Sequence, residues 1–122
     1  MILPDSSVWI AHLRRPETAL LSLLDLQSVV GHAYVTLEVA LGSIADRGNV
    51  LADLHGLPQL DVVALSTVAD LIETHPLWSR GIGFADASLL ASVMLAPGTR
   101  LWTRDRRLRR LAGELSVDAG LD

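Results

Sequence analysis

Residues 84–95 read Phe84-Ala85-Asp86-Ala87-Ser88-Leu89-Leu90-Ala91-Ser92-Val93-Met94-Leu95, a mostly apolar stretch with a single charge. At helical spacing, Asp86 shares a face with three apolar residues, at i+3, i+4 and i+7, so this face is predicted to point into the protein. A carboxylate removed from water is very costly unless it is paired or binds a metal, and the stretch contains no Arg, Lys or His. The alternative is a first-turn Asp that interacts with the helix dipole.

Three further acids lie beside apolar segments. They are Asp5 after Met1-Ile2-Leu3, Glu38 within Tyr34-Val35-Thr36-Leu37-Glu38-Val39-Ala40-Leu41, and Asp105 after Leu101-Trp102-Thr103. Four acids placed against a predicted core indicate one shared divalent-cation site. The alternatives are helix N-caps for Asp5 and Asp105 and an exposed helical position for Glu38. Since there is no Cys and no clustered His, hard oxygen ligands favour Mg²⁺ or Mn²⁺ over zinc.

Strand and helix patterns alternate along the chain. The predicted strands are 1–3, 28–30, 60–64 and 100–103, and the predicted helices are 6–13, 16–26, 34–45, 50–55, 66–75, 84–95 and 106–115. This alternation predicts one α/β domain over residues 1–122, with a mostly parallel central sheet and helices on its faces. Ligands bind beyond the carboxyl ends of such strands, where Asp5 and Asp105 are predicted to lie.

Composition excludes several classes of site and of location. The 122 residues include no Cys, which excludes disulfides, a thiolate nucleophile and a zinc–thiolate centre. The four histidines have no metal-ligand spacing. There is no apolar run long enough to span a membrane and no pattern of a signal peptide, so we expect a cytoplasmic protein without membrane contact.

Half of the residues are hydrophobic, and the helices predicted at 16–26 and 34–45 are apolar on more than one side, which predicts a partner chain on that surface.

Arginines cluster near the fourth acid. The net charge of -4 argues against broad affinity for nucleic acid. All ten basic residues are arginine, however, and five of them fall within Arg104–Arg110, around Asp105. Arginine binds phosphate through a bidentate fork. The alternative is a solvated helix face.

Each of the four acids lies in a short segment with a distinctive sequence. In chain order these are Asp5-Ser6-Ser7-Val8-Trp9-Ile10, Glu38-Val39-Ala40-Leu41-Gly42, Gly81-Ile82-Gly83-Phe84-Ala85-Asp86-Ala87-Ser88-Leu89-Leu90-Ala91-Ser92 and Leu101-Trp102-Thr103-Arg104-Asp105-Arg106-Arg107-Leu108. In this order, the segments resemble the PIN-domain ribonucleases, and most closely the VapC toxins of bacterial toxin–antitoxin pairs. The resemblance covers nearly the whole chain. It implies a PIN-like three-layer sandwich and an Mg²⁺-dependent endoribonuclease, in which Mn²⁺ substitutes for Mg²⁺.

The resemblance also implies roles for residues and partners. The four acids Asp5, Glu38, Asp86 and Asp105 are expected to be catalytic and to bind the metal, with Asp5 and Asp86 as the most direct ligands. Apart from the resemblance, the hydroxyls of Ser6 and Thr103 are expected to line the pocket, and the chemistry of arginine predicts contacts of Arg104, Arg106 and Arg107 with RNA phosphates. The alternative for Thr103 is an ordinary strand residue. The expected partners are RNA, a VapB-like antitoxin and a second copy of the chain or a toxin–antitoxin hetero-oligomer.

Two other functions compete with this interpretation. A PIN-like module that binds a partner without cutting RNA would not need all four acids. A phosphatase of the haloacid-dehalogenase type would need an Asp-x-Asp start, whereas Asp5 is followed by Ser6 and Ser7.

Overall fold

The computed structural model describes residues 1–122, which form two strands and seven helices. The strands are β1 (Ile2–Pro4) and β2 (Arg100–Trp102). The helices are α1 (Ser6–Arg14), α2 (Thr18–Asp25), α3 (Ala33–Ala40), α4 (Arg47–Gly56), α5 (Leu65–Thr74), α6 (Phe84–Met94) and α7 (Arg106–Glu114). No helix combines the length and hydropathy needed to cross a membrane.

The sheet is parallel throughout. β1 pairs with β2 in the register Ile2 to Arg100 and Pro4 to Trp102. Single parallel bridges extend the sheet on both sides, from Ile2 to Val29, from Gly31 to Gln59 and from Leu101 to Asp118. The predicted α/β class with a parallel central sheet is therefore confirmed, although only two segments form continuous strands.

One apolar core joins the sheet to the helices. Leu3 and Leu101 of the central strands are fully buried. α1 packs on β1 and on α3, and α6 packs on β2 and on α5. In α6 every residue from Ala87 to Val93 is buried, so this part of the helix is enclosed on all sides and not only on the face predicted to point inward.

Several predicted boundaries were wrong. α3 ends at Ala40 rather than Ala45, since the Gly42 N–H turns back to the Val39 carbonyl and Leu41 is 88% exposed, without the core contact that would extend the helix. Residues 60–64 are not a strand, because the neighbouring segment makes its single bridge from Gly31 to Gln59, just before them, and then turns into α3. Residues 28–30 likewise make a single bridge.

Candidate active site

Asp5 lies at the carboxyl end of β1 and is only 5% exposed. Its N–H donates to the Trp102 carbonyl at 2.9 Å, which ties it to the end of β2. Its Oδ1 accepts from the Val8 N–H at 3.3 Å and from the Ser7 hydroxyl. Burial raises the pKa of Asp5, and the hydrogen bonds from Ser7 and Thr103 oppose this rise. The N-cap expected as an alternative is therefore present, within a buried polar setting.

Asp105 lies beyond the carboxyl end of β2 and caps α7. Its Oδ1 accepts from the N–H groups of Arg107 and Leu108 at 2.9 and 3.0 Å. Asp105 is exposed, so the prediction that it lies against the core was wrong; the helix begins at the surface. Thr103 is buried beneath it, accepts from the Asp105 N–H at 3.1 Å and also bonds Asp5. Thr103 thus connects the two acids.

Glu38 reaches the same region from α3. It is partly buried, and its Oε2 accepts from the Ser6 hydroxyl at 3.1 Å. Because Ser6 directly follows Asp5, this bond holds the second acid beside the first. A hydroxyl donor also satisfies a carboxylate oxygen without adding a neutralising charge.

Asp86 is where the four acids converge. It stands in the first turn of α6 and is half-buried. Burial raises its pKa from 3.8 to about 6, and the charges of Asp5, Glu38 and Asp105 all add to this rise. A backbone hydrogen bond from Gly83 opposes it. Like charges that raise the pKa of a carboxyl are near it, so acids from four separate elements face one region of the molecule.

None of the four acids forms an ion pair, although the chain contains ten arginines. Every salt bridge uses another acid, namely Glu17, Glu114, Asp118 or Asp122. No group of three or more potential ligands stands close enough to share one ion as the side chains are placed. Mg²⁺ requires only one or two direct carboxylates and keeps several waters, so an all-oxygen set of this kind fits it.

Ser7 is a site residue that the sequence did not single out. Its hydroxyl donates to Asp5 and accepts from the Arg104 N–H at 3.0 Å, so it connects the ends of both strands. The only available signal was its position two residues after an acid, where a serine also suits the first turn of an ordinary helix.

Of the three arginines expected to contact RNA, Arg104 lies apart from Arg106 and Arg107. The Arg104 guanidinium pairs with Glu17 at 2.6 Å. The side chains of Arg106 and Arg107 lie elsewhere, in a cleft with Arg80 and Arg110. The histidines take no part in the site; His32, for example, is fully buried, bonds Ser92 at 2.9 Å and has its pKa lowered by burial.

Comparison with known proteins identifies the family. The family model described as PIN domain matches residues 2–114. Ribonuclease VapC32 of Mycobacterium tuberculosis, from strains CDC 1551 / Oshkosh and ATCC 25618 / H37Rv, is 47% identical over 117 residues, which are 96% of this chain and 94% of the relative. This chain belongs to the VapC-type PIN-domain ribonucleases. The resemblance predicted from the four segments is confirmed, and all four acids of this VapC-type chain lie within the matched range.

The raised pKa of Asp86 predicts a pH-dependent stability for the VapC-type chain. A pKa that rises from 3.8 to about 6 on folding stabilises the fold below pH 3.8, and this contribution is lost as the pH rises through about 6. In EDTA, we expect the melting temperature of the wild type to fall relative to that of Asp86→Asn between about pH 4 and about pH 7. Solvent screening of this half-buried group limits the loss to on the order of 1 kcal/mol, or about 3–5 °C. A difference that is constant with pH would contradict the prediction.

Proposed function

We propose that this chain is a cytoplasmic, Mg²⁺-dependent endoribonuclease that acts as the toxin of a toxin–antitoxin pair. The observation that carries the proposal is the convergence of four carboxylates, without any cationic partner, beyond the carboxyl ends of β1 and β2. Metal-dependent cleavage of RNA would explain why these unfavourable charges are held together, since a divalent ion reverses their repulsion. Membership in the VapC-type ribonucleases supports the same chemistry.

We assign metal ligation first to Asp5 and Asp86, the two acids whose pKa is raised by burial. Glu38 and Asp105 would act through water or at a second ion. Their placement suits this role, because Asp105 uses Oδ1 for the helix cap and Glu38 uses Oε2 for Ser6, which leaves one oxygen free on each. When bound, the ion supplies the positive charge that activates water and offsets the charge of the scissile phosphate.

The polar side chains around the acids would set their orientation. Ser7 and Thr103 hold Asp5, and Ser6 holds Glu38.

With a pKa of about 6, Asp86 is ionised near neutral pH and ready to bind a cation, whereas it is protonated in mild acid. At limiting metal concentration, cleavage should therefore decline as the pH falls below about 6, because a protonated Asp86 does not bind the ion; saturating metal should shift the decline to lower pH.

The direct test is cleavage of a mixed cellular RNA by the purified protein in Mn²⁺ or Mg²⁺, with EDTA as the control. Cleavage with either ion that stops in EDTA supports the proposal. No cleavage under any condition, by a folded protein that still binds RNA, would instead favour a catalytically silent PIN-like binding module. The phosphatase alternative is set aside by membership in the PIN family.

We further propose that a VapB-like antitoxin covers the apolar surface around α1, α2 and α4. A cavity of about 310 Å³ opens there, lined by Trp9, His12, Leu13, Leu24, Val50, Asp53, Leu54 and Leu57. An arginine of the same partner, placed beside the four acids, would pair with them and displace the metal.

Coexpression tests this partner. The chain produced with its neighbouring reading frame should copurify as a larger, less active species on gel filtration. Leu13→Ser, in the cavity wall, should weaken the complex, whereas the matched control Leu65→Ser, on the exposed side of α5, should not. If the coexpressed chain elutes alone and remains fully active, the antitoxin proposal fails.

A further inference from the structure

Four arginines line a single open cleft at the surface. Arg80 comes from the loop before α6, and Arg106, Arg107 and Arg110 come from the first two turns of α7. The cleft has a volume of about 250 Å³ and includes no apolar residue and no acid in its lining. In a chain with a net charge of -4, so concentrated a positive charge is a local feature and does not reflect the overall composition.

The charges in this cleft are mostly uncompensated. Arg80 pairs with Glu114 at 2.6 Å, but the side chains of the three α7 arginines form no salt bridge; on this helix only Arg109 is paired, with Asp118 and Asp122. Like charges at i,i+3 and i,i+4 destabilise a helix. Cations are also unfavourable at a helix N-terminus, where Arg106 and Arg107 stand. An anion in the cleft would relieve both effects.

Gly81 lies against Arg107 in the cleft wall. Its φ of +80° favours glycine, and a Cβ built there would lie 2.7 Å from both Cδ and Nη1 of Arg107. The loop backbone therefore passes directly against the guanidinium, and a side chain at position 81 would have to displace Arg107 from the cleft wall.

The cleft is connected to the acids at two points. The Arg107 N–H donates to Asp105 Oδ1 at 2.9 Å. On the other wall, the loop that carries Arg80 and Gly81 continues to Gly83, whose backbone bonds Asp86. An anion bound by the arginines would thus lie on the two segments that also hold two of the four acids.

We propose that this cleft binds a backbone phosphodiester of the RNA strand beside the bond that is cut, through Arg80, Arg106, Arg107 and Arg110. This inference rests on the proposed function and identifies the surface that positions its substrate. Arginine forks match phosphate oxygens in a bidentate manner, and the adjacent acids act on the same kind of group. Arg104, which pairs with Glu17, and Arg109 lie outside this phosphate site.

The test is binding of a labelled single-stranded RNA in EDTA, measured as a function of salt concentration. Each lost phosphate contact lowers the slope of log K against log salt by about 0.7 for a single strand, or about fivefold in affinity at 0.1 M salt. Arg106→Gln and Arg110→Gln should each show this loss, and the double variant about 25-fold. The matched control Arg109→Gln, on the same helix, should bind like the wild type.

Equal slopes and affinities for the double variant and for Arg109→Gln would overturn the proposal. Binding of an acidic peptide that requires Arg106 and Arg110 but displaces no RNA would also overturn it, because the cleft would then belong to a protein partner. These measurements need no cleavage. If the wild type fails to cut RNA in Mn²⁺ but shows the arginine-dependent slope, the nuclease assignment fails while the phosphate site stands.

Discussion

Asp86→Asn is expected to reduce RNA cleavage in Mn²⁺ by on the order of 10³-fold or more. Asn has nearly the same shape but no charge, so the change removes a metal ligand without opening a cavity. It also removes the charge that burial and three neighbouring acids disfavour. The variant should therefore be inactive and, in EDTA at neutral pH, at least as stable as the wild type. Initial cleavage rates and melting temperatures measure the two effects.

The matched control is Asp70→Asn, which neutralises an exposed acid on α5 and should leave both quantities unchanged. Asp5→Asn should be as inactive as Asp86→Asn because it also removes a metal ligand. It should still fold, since Asn is a good N-cap for α1. The double variant should be little worse than either, because the ligands of one site act as a unit. Cleavage by Asp86→Asn at the wild-type rate would show that the site is not built around this acid.

The second large effect is stabilisation by metal. Mg²⁺ or Mn²⁺ should raise the melting temperature, because a cation reverses the repulsion that raises the pKa of Asp86. At a free ion concentration 100 times the dissociation constant, the gain is about 2.7 kcal/mol, or roughly 10 °C for a domain of this size. Calorimetry in EDTA and in increasing Mn²⁺ provides the measurement.

The location of the ion is tested by the same titration on variants. Asp5→Asn and Asp86→Asn should each lose most of the shift. Asp53→Asn, an exposed acid on α4 beside the apolar cavity, should keep all of it. A shift of full size in Asp5→Asn would mean that the ion binds at another place.

The sequence was informative where local rules determine structure. The helices follow from apolar periodicity and from caps, and the two interior strands follow from their apolar residues. The boundaries that were wrong depend on contacts with segments that are distant in sequence. Residues 60–64 have strand-like composition but form no bridge with a neighbouring segment, and the apolar pattern beyond Ala40 continues into a loop where Leu41 faces solvent.

The sequence by itself determined which side chains are chemically unusual. It showed one acid in an otherwise uncharged helix, three more acids beside apolar segments, and a cluster of arginines around Asp105. It also offered N-caps as the alternative for Asp5 and Asp105, and both caps are present, since an N-cap depends on residues only two or three positions away.

Only the tertiary structure decided which of these residues act together. The pKa of Asp86 rises to about 6 because α6 is enclosed and because three acids from other elements approach it. The same folding turns Arg104 towards Glu17, while Arg80 and Arg110 join Arg106 and Arg107 in one cleft against Gly81. Burial and Coulomb interactions depend on distances through space. Those distances are fixed when the parallel strands bring remote segments to one edge of the sheet.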